Sequence, residues 1–224
     1  MNGQIEALSA LDWWREAGVD TLVEEEPRDW LHSAPKPDII APRQAVADTL
    51  PTTLAAFHAW WRETDTLPGA PASRLMPAGE PSSGLMLLTD MPDAADTLFP
   101  TELGRLFDRM MGAIGRDRGS IYLAAMAGVP VGARGLEDEA LVRTAKHHVA
   151  LAAPRLLLLL GEAPSRAILG LGFAEARGRI HEFNHEGATV RAIATFHPRF
   201  LFQRPALKAA AWTDLRMLIE EFGA

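Results

Sequence analysis

The chain has 224 residues, 48% apolar and 23% charged, the proportions of an ordinary folded protein of one domain, with or without a helical lead, and not of a disordered one. It has no cysteine, which excludes disulfides, thiolate zinc sites, cysteine nucleophiles and cysteine-held iron-sulfur clusters. The net charge of -7 argues against nucleic-acid binding over the whole surface but leaves room for one basic face, and no apolar run approaches the ~20 residues of a membrane span, so a cytoplasmic protein without membrane contact is expected.

In chain order, Ile5, Leu8, Leu11 and Trp14 fall on one face of an amphipathic helix over residues 5–17, which Gly18 stops. A second helix is expected over 52–61. Between them, residues 27–42 hold four prolines and little periodicity, the composition of a connector. Residues 67–83 are again rich in Pro, Gly, Ala and Ser. The expected organisation is a single domain over 1–224, with a helical lead at 1–66, a connector at 67–83 and an α/β core at 84–224.

Within that core, short apolar runs at 84–88, 120–126, 155–160 and 189–195 alternate with helical lengths at 101–115, 137–152 and 165–169. Runs that are apolar on both faces predict strands covered on both sides, hence a three-layer α/β/α fold with a short central parallel sheet of about four strands. Residues 205–222 place Leu207, Ala211, Leu215, Leu218 and Phe222 on one stripe, a closing helix. Ligands of such sheets bind outside the carboxyl ends of the strands, which points to loops beginning near Thr89, Ala127, Gly161 and Phe196.

Several segments offer chemistry. His181-Glu182-Phe183-Asn184-His185 matches the HExxH zinc pattern, which needs a helix to bring both imidazoles together. Here the flanks, 179–183 and 188–193, read as two strands of a hairpin turning at 184–187, a setting in which the histidines do not converge. Glu162 reads as a carboxylate at a helix N-terminus, and His147 and His148 as packed or solvated helix residues. The loop from Thr89 to Asp96 sets Asp90, Asp93 and Asp96 directly after the first core strand. There a carboxylate can orient water or stabilise a cation, or Asp93 or Asp96 can cap a helix. The richest segment runs from Thr195 to Lys208: a histidine at a strand end, apolar residues able to wedge into a base stack, then Arg199, Arg204 and Lys208 with no acid before Asp214. His197 can donate to an anionic leaving group and the basic residues can meet phosphates, or His197 caps a strand while Phe200 and Phe202 are core.

That segment resembles the HPSYLLR-type motif of uracil-DNA glycosylases, followed by that superfamily's terminal helix at Pro205-Ala206-Leu207-Lys208 and Trp212-Thr213-Asp214-Leu215. The resemblance extends from about residue 45 onward and is closest to the iron-sulfur branch, family four. Residues 88–96 stand at the family's glycine-rich first loop, 99–108 at the segment after it, 155–161 at its strand ending in Leu-Gly, and Arg177-Gly178-Arg179 at its RGRW element. The resemblance implies a protein that flips uracil out of DNA and hydrolyses its N-glycosidic bond in base excision repair, with no catalytic metal or other cofactor. By position, Asp90 stabilises the sugar cation or orients water, and His197 stabilises the departing base. Phe99 stacks on that base and Ala125 borders it. Pro198, Arg199, Phe200 and Leu201 form the loop entering the duplex, with Arg199, Arg204 and Lys208 on phosphates. The implied partner is single- or double-stranded DNA carrying a damaged base, met by a monomer, with room for a protein partner.

Three departures from the family pattern accompany it. Trp60 and Leu141 occupy two cluster-ligand positions, Ala124 or Ala125 the place of the uracil-reading asparagine, and Asp93 the place of the first loop's final glycine. Shape discriminates less than hydrogen bonding, so two readings stand open. One is a glycosylase with altered or relaxed base preference, acting on uracil or a related deaminated base. The other is a catalytically degenerate homologue that binds DNA or a protein.

Overall fold

A computed structural model of the chain describes residues 50–223. The expected helix at 5–17, the connector at 27–42 and most of the lead at 1–66 lie outside them.

The core strands form where the apolar runs are. Strands β1 (Ala78–Gly79), β2 (Leu85–Thr89), β3 (Tyr122–Ala125), β4 (Leu156–Leu160), β5 (Ile180–His185) and β6 (Ala188–Thr195) make one sheet in the order β1-β3-β2-β4-β6-β5. The four inner strands are mutually parallel, and β1 and β5 pair antiparallel at the two edges. The sheet thus has six strands where about four were expected. The parallel core agrees, and the edges are a two-residue strand and the outer arm, β5, of the β5–β6 hairpin.

Alternation along each strand splits the side chains between two faces. Leu85, Leu87, Leu123, Leu158 and Ile193 pack on helices α2 (Thr101–Ala113) and α7 (Lys208–Gly223) through Phe107, Met111, Leu215 and Leu218. Met86, Leu88, Leu157, Leu159 and Ala192 pack on α3 (Glu139–Ala152) and α4 (Glu162–Leu169) through Ala145, Val149 and Ile168. Leu157, Leu158 and Leu159 are fully buried, so trimming any one to alanine costs about 2–5 kcal/mol. Helix α1 (Leu54–Glu63) adds Phe57 and Trp61 to a third cluster with Leu141, against which Trp60 packs.

A four-residue helix, α5 (Phe173–Ala176), leads into β5. The β5–β6 turn is Glu186-Gly187, both at positive φ (50° and 83°), with His185 paired to Ala188. This is the backbone that a two-residue hairpin requires. After β6 the chain forms α6 (Pro198–Gln203), where a loop was expected. Pro198 sits at its first position, where a missing N–H costs nothing, and His197 caps it. Among the described residues no helix is long and apolar enough to cross a membrane.

The first of the parallel strands is β2, with β3 on one side of it and β4 on the other. That reversal puts a crevice at the carboxyl ends of β2 and β4, where open α/β sheets bind ligands.

Candidate active site

Asp90 is the first residue after β2, and two local donors fix its carboxylate: Met91 N–H at 2.7 Å and the Thr89 hydroxyl at 3.2 Å, both to Oδ1. His197 follows β6 by two residues, and β6 is separated from β2 by β4 alone. Gly161 follows β4, at φ 97°, where a Cβ would lie 3.3 Å from the Cβ of His197. The missing side chain leaves the imidazole room beside Asp90, with Nε2 3.6 Å from Asp90 Oδ1.

The tautomer of His197 follows from its cap. Nδ1 accepts the backbone N–H of Arg199 at 3.0 Å, so a neutral ring carries its proton on Nε2. That nitrogen is buried and has no hydrogen-bond partner. Burial lowers the imidazole pKa below its ordinary value and nearby Arg199 adds to this, against the upward pull of Asp90 and Asp93. The site therefore holds a neutral donor beside a carboxylate.

Both side chains line a cleft of about 800 Å³ that also contains Arg199. Leu160 and Phe196 contribute at the strand ends, Ala163 and Ala167 from α4, Phe173 from α5 and Phe200 from α6. The volume suits a small organic ligand such as a nucleobase with its sugar. Lys146 of α3 and the Glu162–Arg166 pair of α4 bring charge to the lining. Glu162 lies in the first turn of α4, as expected, and also accepts the Phe173 N–H at 2.9 Å.

Other expected site residues are placed differently. Phe99 is 2% exposed, with its ring 4.6 Å from that of Phe107 and edge-on to His197 at 5.5 Å. It backs the imidazole and, like buried Ala125, is not in the cleft lining. Pro198 and Leu201 are buried, Leu201 in the main core cluster, so neither is presented to a duplex. Phe200 stacks on Phe196 at 11° between planes. The exposed apolar residue of α6 is Phe202, at 57%. Arg204 lies over the Phe200 ring and Lys208 is exposed at the start of α7. Arg199 turns inward, donating from Nε to Asp93 Oδ1, with Nη1 3.6 Å from Asp90 Oδ2. Asp96 is exposed, and α2 is capped at Pro100, so neither Asp93 nor Asp96 caps it.

The two histidines of the HExxH match lie on β5 four residues apart, about 13 Å along an extended strand. His181 bonds the Ala176 carbonyl at 2.8 Å. His147 bridges Glu186 and the Pro51 carbonyl. His148 is stacked on Phe57 and bonded through Nε2 to the Tyr122 hydroxyl, which also meets His58, at 2.7 Å each.

Two features were missed from sequence. Lys146 was passed over as a helix residue, although its spacing of four from Val142 puts both on one face of α3, and both line the cleft. Behind His197, buried Asp214 accepts at Oδ2 from Thr195 Oγ1 at 2.9 Å and from Arg177 Nε and Nη2 at 2.9 and 2.8 Å. The Arg177 guanidinium covers the Phe196 ring at 4.0 Å. Burial raises the Asp214 pKa against these bonds. No pattern in the sequence pairs residues 177, 195 and 214 across a loop, a strand and a helix.

A protein-family model, that of the Uracil DNA glycosylase superfamily, matches residues 76–216. No curated protein matches the chain.

Proposed function

The chain belongs to the uracil DNA glycosylase superfamily, and on that premise we propose that it hydrolyses the N-glycosidic bond of uracil or a related deaminated base in DNA, as a base excision repair enzyme. The observation that carries this reading is the pairing of a neutral imidazole donor with a carboxylate, 3.6 Å apart, at the lip of an apolar cleft. In the reaction the bond from C1′ to the base nitrogen breaks with its electron pair going to the base. The sugar is left as an oxocarbenium ion, which the Asp90 carboxylate stabilises, and the base leaves as an anion, to which His197 Nε2–H donates. Water adds to C1′, its proton passes to a base such as Asp90, and the products are an abasic site and the free base.

The base has to leave the duplex to reach the cleft, at a cost of a few kcal/mol that contacts elsewhere must offset. Phe202, Arg204 and Lys208 supply an apolar tip and two cations on the exposed stretch of chain that follows the cleft residue Phe200.

A second reading, a catalytically degenerate homologue that binds DNA or a protein, is favoured by one observation: Phe99 is packed on Phe107 and Ala125 offers no polar side chain, so neither expected base contact opens on the cleft. The test is incubation with oligonucleotides carrying uracil, hypoxanthine or xanthine, followed by alkali to cut at abasic sites and chromatography of the released base. Release of any of the three supports the enzyme. Binding without release supports the second reading.

A further inference from the structure

Three buried polar atoms without a hydrogen-bond partner belong to one connected group of side chains: Nε2 of His197, Nη2 of Arg199 and Oδ2 of Asp93. Two of the three, His197 Nε2 and Arg199 Nη2, are donors; buried donors are rarely left unmade in a folded protein, and two of them in one cleft mark a place for an acceptor. Arg199 is not free to satisfy itself elsewhere. Its Nε is held by Asp93 Oδ1, and its Nη1 lies 3.6 Å from Asp90 Oδ2, just beyond hydrogen-bond reach. The fork is thereby fixed with Nη2 unspent. His197 is 6% exposed and lines the cleft together with Arg199, so two donors share its wall.

Charge points the same way. Asp90 and Asp93 place two carboxylates beside a neutral imidazole, and a leaving anion would form against both were Arg199 not between them. A fixed cation there offsets that repulsion while leaving the Asp90 carboxylate beside the sugar.

Resting on the glycosylase reading above, we propose that Arg199 is a second donor to the departing base, its Nη2 acting with His197 Nε2–H on the carbonyl oxygens of an oxo-base. Arg199 then belongs to the base side of the site and not to the phosphates. Oxo-bases, whose edge carries acceptor oxygens, are preferred over amino bases such as cytosine and adenine, whose exocyclic groups donate. This gives polar base recognition without an asparagine at the end of β3.

The test uses the full chain with Arg199→Gln and Arg199→Lys, after thermal melting to compare folding. Single-turnover excision is measured on uracil, hypoxanthine and xanthine oligonucleotides, affinity for an undamaged oligonucleotide is measured across a salt series, and free uracil, hypoxanthine and xanthine are titrated calorimetrically. The expected result for Arg199→Gln is a rate lower by about 10²-fold, with unchanged affinity and salt slope for undamaged DNA and loss of free-base binding. Arg199→Lys keeps the charge without the fork and recovers part of the rate. A wild-type rate in Arg199→Gln overturns the proposal. So does an unchanged rate with a salt slope smaller by about 0.9, the signature of one lost phosphate contact. A rate loss that Asp93→Asn reproduces in proportion to lost melting temperature assigns the arginine a purely structural role and overturns it as well. Should the wild-type protein excise none of the three bases, the glycosylase reading fails separately. Free-base binding that Arg199→Gln abolishes then still supports Arg199 as the donor, and no binding by the wild type overturns it.

Discussion

Nε2 of His197 stands 3.6 Å from Oδ1 of Asp90, close enough to interact and too far to hydrogen-bond. The distance follows from what holds each group. The imidazole is fixed through Nδ1 by the backbone of α6, and the carboxylate through Oδ1 by Met91 and Thr89. Each group is thereby preorganised with its working atom unspent, the condition under which electrostatic stabilisation of a transition state requires little reorganisation.

Replacing His197 by Asn separates its two roles. Asparagine is a good N-cap, so stability stays near wild type, while loss of the Nε2 donor slows excision by about 10²–10³-fold. Alanine at the same position loses the cap as well, costing about 1 kcal/mol more in urea unfolding. Equal excision by His197→Asn and the wild type would remove the imidazole from the mechanism.

The pH dependence of that step has a definite sign. Burial, with Arg199 assisting, depresses the His197 pKa below 6.5, so the neutral donor persists at neutral pH and the ring takes a proton only in more acidic solution. An imidazolium there pairs with Asp90 and removes both groups from their tasks. The single-turnover rate should therefore be flat around neutrality and fall with an acid limb centred below 6.5. A rate that rises as pH is lowered from neutrality would contradict it.

Stability should also fall in acid, through His148. Its folded pKa is pushed down to about 3 by burial, then by the proximity of His58 and His147, from an ordinary 6.5. Between those values the unfolded state binds more protons, so stability present above 6.5 is lost as pH falls, by about 2 kcal/mol at about pH 5. His58 is shifted in the same direction by burial and Arg62. Urea unfolding at a series of pH values should show this slope, and His148→Gln should make it shallower. An unchanged slope in the variant would assign the acid sensitivity elsewhere.

Asp214 is 1% exposed and pairs with a partly buried arginine. Asp214→Ala leaves the Arg177 guanidinium without its anion and should cost about 3–5 kcal/mol, whereas Asp214→Asn keeps an acceptor for Thr195 and should cost less. Because Thr195 and Phe196 lead directly into His197, either variant should also slow excision at temperatures where it is fully folded. Loss of stability without loss of rate would confine the ion pair to a scaffolding role.

On the face proposed to meet DNA, Phe202→Ala should leave stability within about 0.5 kcal/mol, since the ring is exposed, and should weaken binding to damaged DNA. Arg204→Gln and Lys208→Gln should each reduce the slope of log affinity against log salt by about 0.9. Unchanged slopes in both would show that DNA lies on another face.

The sheet was legible because burial on both faces leaves its mark on the chain. The five leucines of β4 and the last four residues of β6, Ala192 to Thr195, are all buried, and Glu186-Gly187 marks the hairpin. Two-residue β1 carries no periodicity to read. The α6 helix was hidden because a proline after a strand reads as loop, while the same proline is favourable at a helix's first turn. That Asp90 and His197 lie near one another follows from their positions after β2 and β6, since strand ends converge by topology. The direction of Arg199 could not, because its partner Asp93 comes from a loop remote in sequence. Phe99 likewise faces Phe107 and the back of His197 for reasons of packing that local sequence does not encode.

The most direct test compares single-turnover base release by the wild-type protein with that by Asp90→Asn and His197→Asn, on DNA carrying uracil, hypoxanthine or xanthine, with affinity measured in parallel. The account predicts that the wild type frees at least one of these bases and that both variants do so at least about 10²-fold more slowly while still binding the DNA. Equal release by all three proteins, or none by the wild type at saturating protein, would contradict it.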